Sequence, residues 1–263
     1  QLLRTLFRVI VWQIRSRRNS DTKIPWVENT CLLARRGMTG ATGNIYCGLH
    51  EYSDMGFILH FLRPNDEFID VGANVGTYSV LAAGVTKAKT IAIEPIAVTV
   101  EALRRNICAN GIENMVEIVE AAAGAESRNV WMTSHLDTMN YVTDVASDQT
   151  SKVPQITIDS LDLQPAVIKL DLDGYEHMAL KGAVETLQRP TLKALIVEFD
   201  DDDAIEILEE AGFSRYAYNP HSRKVSLDLS QHFGYNSLYL RDVDIIRQRV
   251  SQAAVVNIFG LRI

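Results

Sequence analysis

The chain has little that could hold a fold together covalently. Three cysteines, Cys31, Cys47 and Cys108, are scattered over 263 residues, and no CxxC pair occurs. An odd, dispersed set excludes a disulfide framework and a thiolate zinc site, and suits a reducing, cytoplasmic compartment. Each cysteine reads as a small hydrophobe rather than a nucleophile. No apolar run approaches the roughly 20 residues that cross a bilayer. Basic excess is also missing: the formal net charge is −7, which argues against a surface that grips long nucleic acid. Internal repeats and low-complexity tracts are absent. What remains is a chain with 47% hydrophobic residues, enough to build one large α/β domain with a short extension.

Positive charge is concentrated at the start. Leu2, Leu3, Leu6, Phe7, Val9, Ile10, Val11 and Ile14 recur at helical spacing, and Arg4, Arg8, Arg15, Arg17 and Arg18 interrupt or follow them. A signal peptide would place its charges first and end in a small-residue cleavage site, and neither is seen. Two readings stay open for residues 1–18. One is a basic amphipathic helix touching a membrane surface. The other, preferred here, is a helix packed on its own domain or on a second copy in a homodimer. Helical character is expected to continue to about Arg36, with turns or short strands over 37–47. This divides the chain into an N-terminal basic helical extension (1–50), a main domain (51–245) and a C-terminal tail (246–263).

Beyond the extension the pattern becomes regular. Residues 54–62 read as a helix stopped by Arg63-Pro64-Asn65-Asp66. Strands are expected at 67–71, 90–94, 116–120, 167–171 and 194–199, and helices at 77–85, 97–110, 176–187 and 204–211. Such alternation indicates a parallel sheet with right-handed crossovers. Residues 212–218 and 236–241 read as two closing strands. The polar stretch 124–154 reads as an irregular, lid-like loop around a short hairpin at Val130-Trp131-Met132. Asp201-Asp202-Asp203 open a helix, where acidic residues complement the dipole, so they are assigned to structure rather than to a metal.

The turn Asp70-Val71-Gly72-Ala73-Asn74-Val75-Gly76 lies between the first strand and its helix. Gly72 allows a tight turn and close backbone approach to a ligand, and Gly76 allows close packing of the following helix. A dinucleotide site wants G-x-G-x-x-G, but Asn74 and Thr77 stand at the later glycine positions. Without a pyrophosphate cradle, NAD is the weaker candidate, whereas adenosylmethionine carries no phosphate. The second strand ends in Glu94-Pro95, where a carboxylate can accept both ribose hydroxyls. Glu120 and Ala121 end the third strand, where adenine would lie.

Around the fourth strand, Lys169, Asp171 and Asp173 alternate with apolar residues and fall on one side. Ionisable groups so placed need a task or mutual pairing. Glu176 and His177 are assigned to capping and packing, and Asp171 to function. With the 70–76 turn, Ile93-Glu94-Pro95, Ile158-Asp159-Ser160-Leu161, the stretch 169–183 and Ile196-Val197-Glu198-Phe199, the chain resembles the FkbM family of methyltransferases. The resemblance runs from about Glu51 to Glu198, with an echo at Asn236-Ser237-Leu238. Asp173 stands where the family commonly has glutamate, which keeps the charge and shortens its reach.

The resemblance implies a class I Rossmann-like sheet of seven strands, mostly parallel with the last antiparallel, and O-methylation of sugars, glycans or natural products. On this reading the cofactor is S-adenosylmethionine. Its candidate contacts are Glu51, Asp70, Gly72, Ala73, Asn74, Gly76, Thr77, Glu94, Pro95, Glu120, Ala121 and Asp171. Asp171 is the first candidate base and Glu198 the second. Asp171, Asp173 and Glu198 could together hold a Mg²⁺ ion, and a reaction that does not require one is the preferred reading. His50-Glu51-Tyr52 could close over the methionine end, and Trp131, His135 and Tyr141 could line the acceptor pocket. An RNA or protein methyltransferase, and a domain that binds a partner or membrane without catalysis, are the alternatives.

Overall fold

The structure, a computed structural model, describes residues 2–17, 21–35, 38–133, 142–143, 146–147 and 149–263. Its centre is a sheet of eight strands. In chain order these are β1 (Glu67–Val71), β2 (Lys89–Ile93), β3 (Val116–Val119), β4 (Pro165–Leu170), β5 (Ala194–Val197), β6 (Ser214–Asn219), β7 (Lys224–Ser226) and β8 (Ser237–Leu240). Across the sheet they lie in the order β3-β2-β1-β4-β5-β8-β6-β7. From β3 to β5 every neighbouring pair is parallel, while β8 runs antiparallel to both β5 and β6. The expected seven strands, with the last antiparallel, are therefore present. Short β7 adds an eighth by folding back on β6 within a stretch that reads as turns.

Period-two alternation sorts the central strands onto two faces. Phe68, Val167, Ile196 and Leu238 enter one hydrophobic cluster with Phe57 and Phe61, while Ile69, Ile168, Leu195 and Tyr239 enter a second with Leu180 and Leu208. Both faces are covered, so the strands read as nearly continuous apolar runs. The same parity carries Asp70, Lys169, Asp171 and Glu198 onto the face of Phe68. That face is covered by α3 (Tyr52–Phe61) and α4 (Thr77–Ser79), the latter widening into a π-helix over Val80–Thr86. α5 (Ala97–Asn110) ends at Gly111 in the left-handed conformation.

Four local expectations are corrected. Residues after α1 (Leu2–Arg15) do not continue as helix: Thr22–Pro25 and Cys31–Ala34 pair as an antiparallel hairpin. Asn106 and Asn110 of α5 bond the backbone of Leu33 and Cys31, which fixes the hairpin as a strand edge would. The glycine-bearing stretch after it is not a turn but a helix, α2 (Thr39–Cys47), because burial of Ala41 and Ile45 against Trp12 outweighs weak propensity. The polar middle holds a second sheet, with Arg128–Thr133 paired to Thr150–Ile156 over six residues. It forms because Val130, Met132 and Val153 bury one face against Ile96 and Ala122. Finally, the helix expected at 176–187 breaks into α6 (Glu176–Lys181) and α7 (Val184–Leu187), since Gly182 closely approaches Gly124, whose carbonyl oxygen would lie 2.0 Å from a Cβ there. α8 (Asp202–Glu210) begins at Asp201, whose side chain accepts the Ala204 N–H, giving the acidic run its structural role. α9 (Val243–Ser251) buries Ile246 and Val250 in the core. No described helix is long and apolar enough to cross a membrane.

Candidate functional site

At the carboxyl ends of the parallel strands the turn after β1 is pinned from two sides. Gly72 and Ala73 donate their N–H groups to the Ile93 carbonyl at 3.0 Å, and Asp171 donates its own to the Val71 carbonyl. Gly72 sits at φ +74, and a Cβ there would lie 1.9 Å from the Asp171 carbonyl oxygen. Close approach between two chain segments, not only approach to a ligand, therefore demands glycine. Gly76, at φ +87, makes room for Leu103 of α5 rather than for its own helix. Asn74 is also left-handed, with φ 50. Behind the turn, Asn106 donates to the Val75 carbonyl at 2.9 Å, and Trp12 and Val75 share one buried cluster. The N-terminal helices and hairpin thus buttress the turn from outside.

Glu94 follows β2 and is buried. Its Oε2 accepts the Asn74 N–H and its Oε1 accepts the Ile96 N–H, both at 3.0 Å. Burial pushes its pKa up to about 7, against the pull of those two donors. Each oxygen retains a lone pair for a further donor. Pro95 and Ala121 are buried nearby in sequence, Thr77 is half-buried, and Glu120 is exposed at the end of β3.

On the Phe68 face lies a charged cluster. Lys169 is opposite Asp70 in the β4–β1 register and only 2% exposed. Its Nζ lies 2.5 Å from Asp171 Oδ2 and 4.7 Å from the centre of the Tyr78 ring. Asp70 is buried and accepts the Ser79 hydroxyl at 2.6 Å; burial raises its pKa, with Lys169 opposing. Burial would also raise Asp171, but the Lys169 charge and hydrogen bonds from Glu198 and Lys169 outweigh it, and its pKa falls. Glu198, after β5, is pushed up to about 8 by burial and by the adjoining Asp171 carboxyl. Its Oε2 is buried without a hydrogen-bond partner, and the neighbouring Asp171 carboxyl favours its protonated form. Glu51 acts on Lys169 and Tyr78 from the start of α3.

The sequence candidates Asp70, Asp171, Glu198 and Glu51 are thus brought together. Asp173, at φ 51, sits beyond the strand in the turn before α6, and burial raises its pKa. Among the described residues no group of three or more His, Cys, Asp or Glu is arranged to hold a metal ion, and Lys169 pairs with Asp171 Oδ2. Glu176 accepts the Leu172 N–H at 2.8 Å and His177 meets Asp201 at 3.0 Å, both structural tasks. Trp131 is half-buried on the face of the small sheet opposite the Val130 cluster, across from Lys152. His135 and Tyr141 lie outside the described residues.

Sequence reasoning missed a second buried group. Asp54 in α3 is fully buried, meets His232 Nε2 at 2.9 Å and accepts the Asn236 amide at 3.1 Å. Ser53 adds two bonds to Phe233: its N–H donates to the Phe233 carbonyl, and its hydroxyl accepts the Phe233 N–H. A lone acid at the head of the largely apolar stretch Met55–Phe61 was the available signal, because such a carboxylate is expensive to bury unpaired.

The cluster fits an adenosyl sulfonium ligand. Asp171 is held ionised and its side chain is 34% exposed, so it presents negative charge outward, and Glu94 offers acceptors to vicinal hydroxyls. A family model described as the methyltransferase FkbM domain matches residues 70–215. The hexuronic acid methyltransferase AglP of Haloferax volcanii is 26% identical over 166 residues, covering 60% of this chain and 67% of that protein. Among solved structures, methyltransferase FkbM from Methylobacillus flagellatus aligns with a TM-score of 0.47 and 19% identity. That alignment covers 76% of this chain and 52% of the other, so this chain spans about half of that relative's length. An adenosylmethionine-dependent methyltransferase from Thiobacillus denitrificans, solved with S-adenosyl-L-homocysteine, aligns with a TM-score of 0.34 and 14% identity, over 55% of this chain and 45% of that one.

Proposed function

The chain belongs to the FkbM methyltransferase family, and from that premise we propose that it methylates a hydroxyl oxygen of a sugar, glycan or natural product, with S-adenosylmethionine as donor. The observation that carries this reading is the Lys169–Asp171–Glu198 group, set one strand away from the pinned Gly72 turn. Adenosylmethionine, when bound, supplies a methyl group on a positively charged sulfur. The Gly72–Asn74 backbone and Glu94 would hold its nucleoside, and the Asp171 side of the cluster would face its charge.

An alcohol needs help in losing its proton. Asp171, held ionised by Lys169, is a weak base but a fixed negative charge. Glu198 has a pKa of about 8, close to working pH, which suits a group that must accept a proton and release it again. In this reading Glu198 takes the hydroxyl proton while Asp171 and Lys169 fix its position and proton affinity.

Calorimetric titration with adenosylmethionine, S-adenosylhomocysteine and NAD, with and without Mg²⁺, tests the cofactor. Binding of the first two and not the third is expected; silence toward both adenosyl ligands would sink the reading. Transfer of labelled methyl to sugar hydroxyls is the second arm. Glu198→Gln should abolish most turnover while leaving adenosylmethionine affinity intact, and turnover that survives it unchanged removes Glu198 as base.

A further inference from the structure

Near the charged cluster the chain exposes three aromatic rings. Phe199, directly after Glu198, is 59% exposed; Phe233 is 57% and Tyr235 82% exposed. Beyond the last β5–β8 pair, Val197 opposite Ser237, two further residues on each chain reach Phe199 and Tyr235. On its other side Tyr235 lies 6.4 Å from the His50 ring, next to Glu51. The segment carrying Phe233 and Tyr235 cannot collapse onto the core, because Ser53 and Asp54 fasten His232, Phe233 and Asn236 to the first turn of α3. Gly234 takes part in this fastening: a Cβ there would lie 2.6 Å from Asp54 Oδ2.

We propose that Tyr235, flanked by Phe233 and Phe199, is the acceptor subsite, and that it stacks on the C–H face of a pyranose ring. This rests on the sugar-directed reading above. Tyr235 is linked to the cluster through His50 and Glu51, which acts on Lys169, and Phe199 directly follows Glu198, so a ligand here must offer a hydroxyl and a flat apolar face together. A sugar ring has both within one small unit, and its hydroxyls are the groups that the sugar-directed reading methylates. Preorganised aromatic surface lowers the ordering penalty of such a contact.

The full chain, loaded with S-adenosylhomocysteine, is titrated with the methyl glycosides of glucose, galactose and glucuronic acid, and with sorbitol as an acyclic control. At least one glycoside should bind and sorbitol should not. Tyr235→Ala should weaken glycoside binding about tenfold, Tyr235→Trp should retain it, and S-adenosylhomocysteine affinity should stay within about twofold in both. Saturation transfer should reach the ring C–H protons of the glycoside in the wild type and fade in Tyr235→Ala. The proposal is overturned if no glycoside binds the wild type, or if Tyr235→Ala binds as well as the wild type. It is also overturned if Tyr235→Ala changes only sedimentation with phosphatidylglycerol vesicles, which would make the rim a membrane contact. Failure of the parent reading looks different: Tyr235-dependent glycoside binding with no methyl transferred from adenosylmethionine.

Discussion

Glu94 and Glu198 both follow a parallel strand, and burial raises both, to about 7 and about 8. Their surroundings differ. Glu94 faces two backbone N–H donors of its own turn region and no cation. Glu198 faces another carboxyl, which is itself held by a buried ammonium. Fixed donors leave Glu94 as an acceptor waiting for hydroxyls, so its ionisation is tied to ligand binding. That neighbouring charge makes Glu198 hold its proton near neutral pH, which suits a group that exchanges protons. One residue type, at equivalent ends of two strands, is turned into a binding group or an acid–base group by what stands beside it.

Gly72 joins the two regions, since it bonds to Ile93 on the Glu94 side and touches the Asp171 carbonyl on the other. Gly72→Ala should therefore break both at once. A left-handed alanine colliding with backbone is expected to lower stability by on the order of 5 kcal/mol and abolish adenosyl-ligand binding. Denaturant unfolding and calorimetry check this; normal binding by the variant would show that the turn can open.

Lys169→Met breaks only the Asp171 side. Stranding a buried carboxylate should cost about 4 kcal/mol, and Asp171 should then take up a proton in the neutral range, visible by carboxyl-specific infrared titration. An unchanged Asp171 band would mean that water or Tyr78 replaces the ammonium.

Glu198→Gln separates the two regions kinetically. The wild-type rate should rise with pH through about 8 as Glu198 ionises. The variant should lose that limb and roughly a hundredfold in kcat. If the limb persists, the group that titrates is elsewhere.

Glu94→Gln gives the smallest change and the cleanest sign. The folded pKa of about 7 exceeds the ordinary glutamate value of 4.5. The stability tied to protonated Glu94 is therefore complete below pH 4.5 and is lost as pH rises through about 7. Without ligand, glutamine should remove this slope, and because its amide nitrogen cannot accept the second of the two backbone N–H groups, it should lower stability below pH 4.5 by on the order of 1 kcal/mol. It should also weaken adenosylmethionine binding at about pH 8, because hydroxyl donors favour the ionised carboxylate. A flat wild-type stability curve from pH 5 to 8 would contradict the burial of Glu94.

Much of this was legible in the chain itself. Alternation from Glu67 to Leu240 set the strands, and parity placed Lys169 and Asp171 on one side of theirs. Asn-Gly at 110–111 marked the end of α5, and the acidic run at 201–203 marked the start of α8. The local pattern failed where neighbours overrule propensity. The 22–34 hairpin depends on side-chain amides of α5, α2 depends on Trp12, and the small sheet depends on Ile96 and Ala122, all distant in sequence.

The site divides in the same way. Residue type and spacing by themselves determined which carboxylates end the strands and that a phosphate cradle is absent, because a strand's period of two and a glycine's freedom are local properties. Only tertiary structure decided which carboxylate keeps its proton, why Gly72 must be glycine, and that Asp54 fastens the aromatic rim. Those outcomes depend on burial and on the charge of groups brought together from opposite ends of the chain, and dielectric and distance are properties of the folded molecule alone.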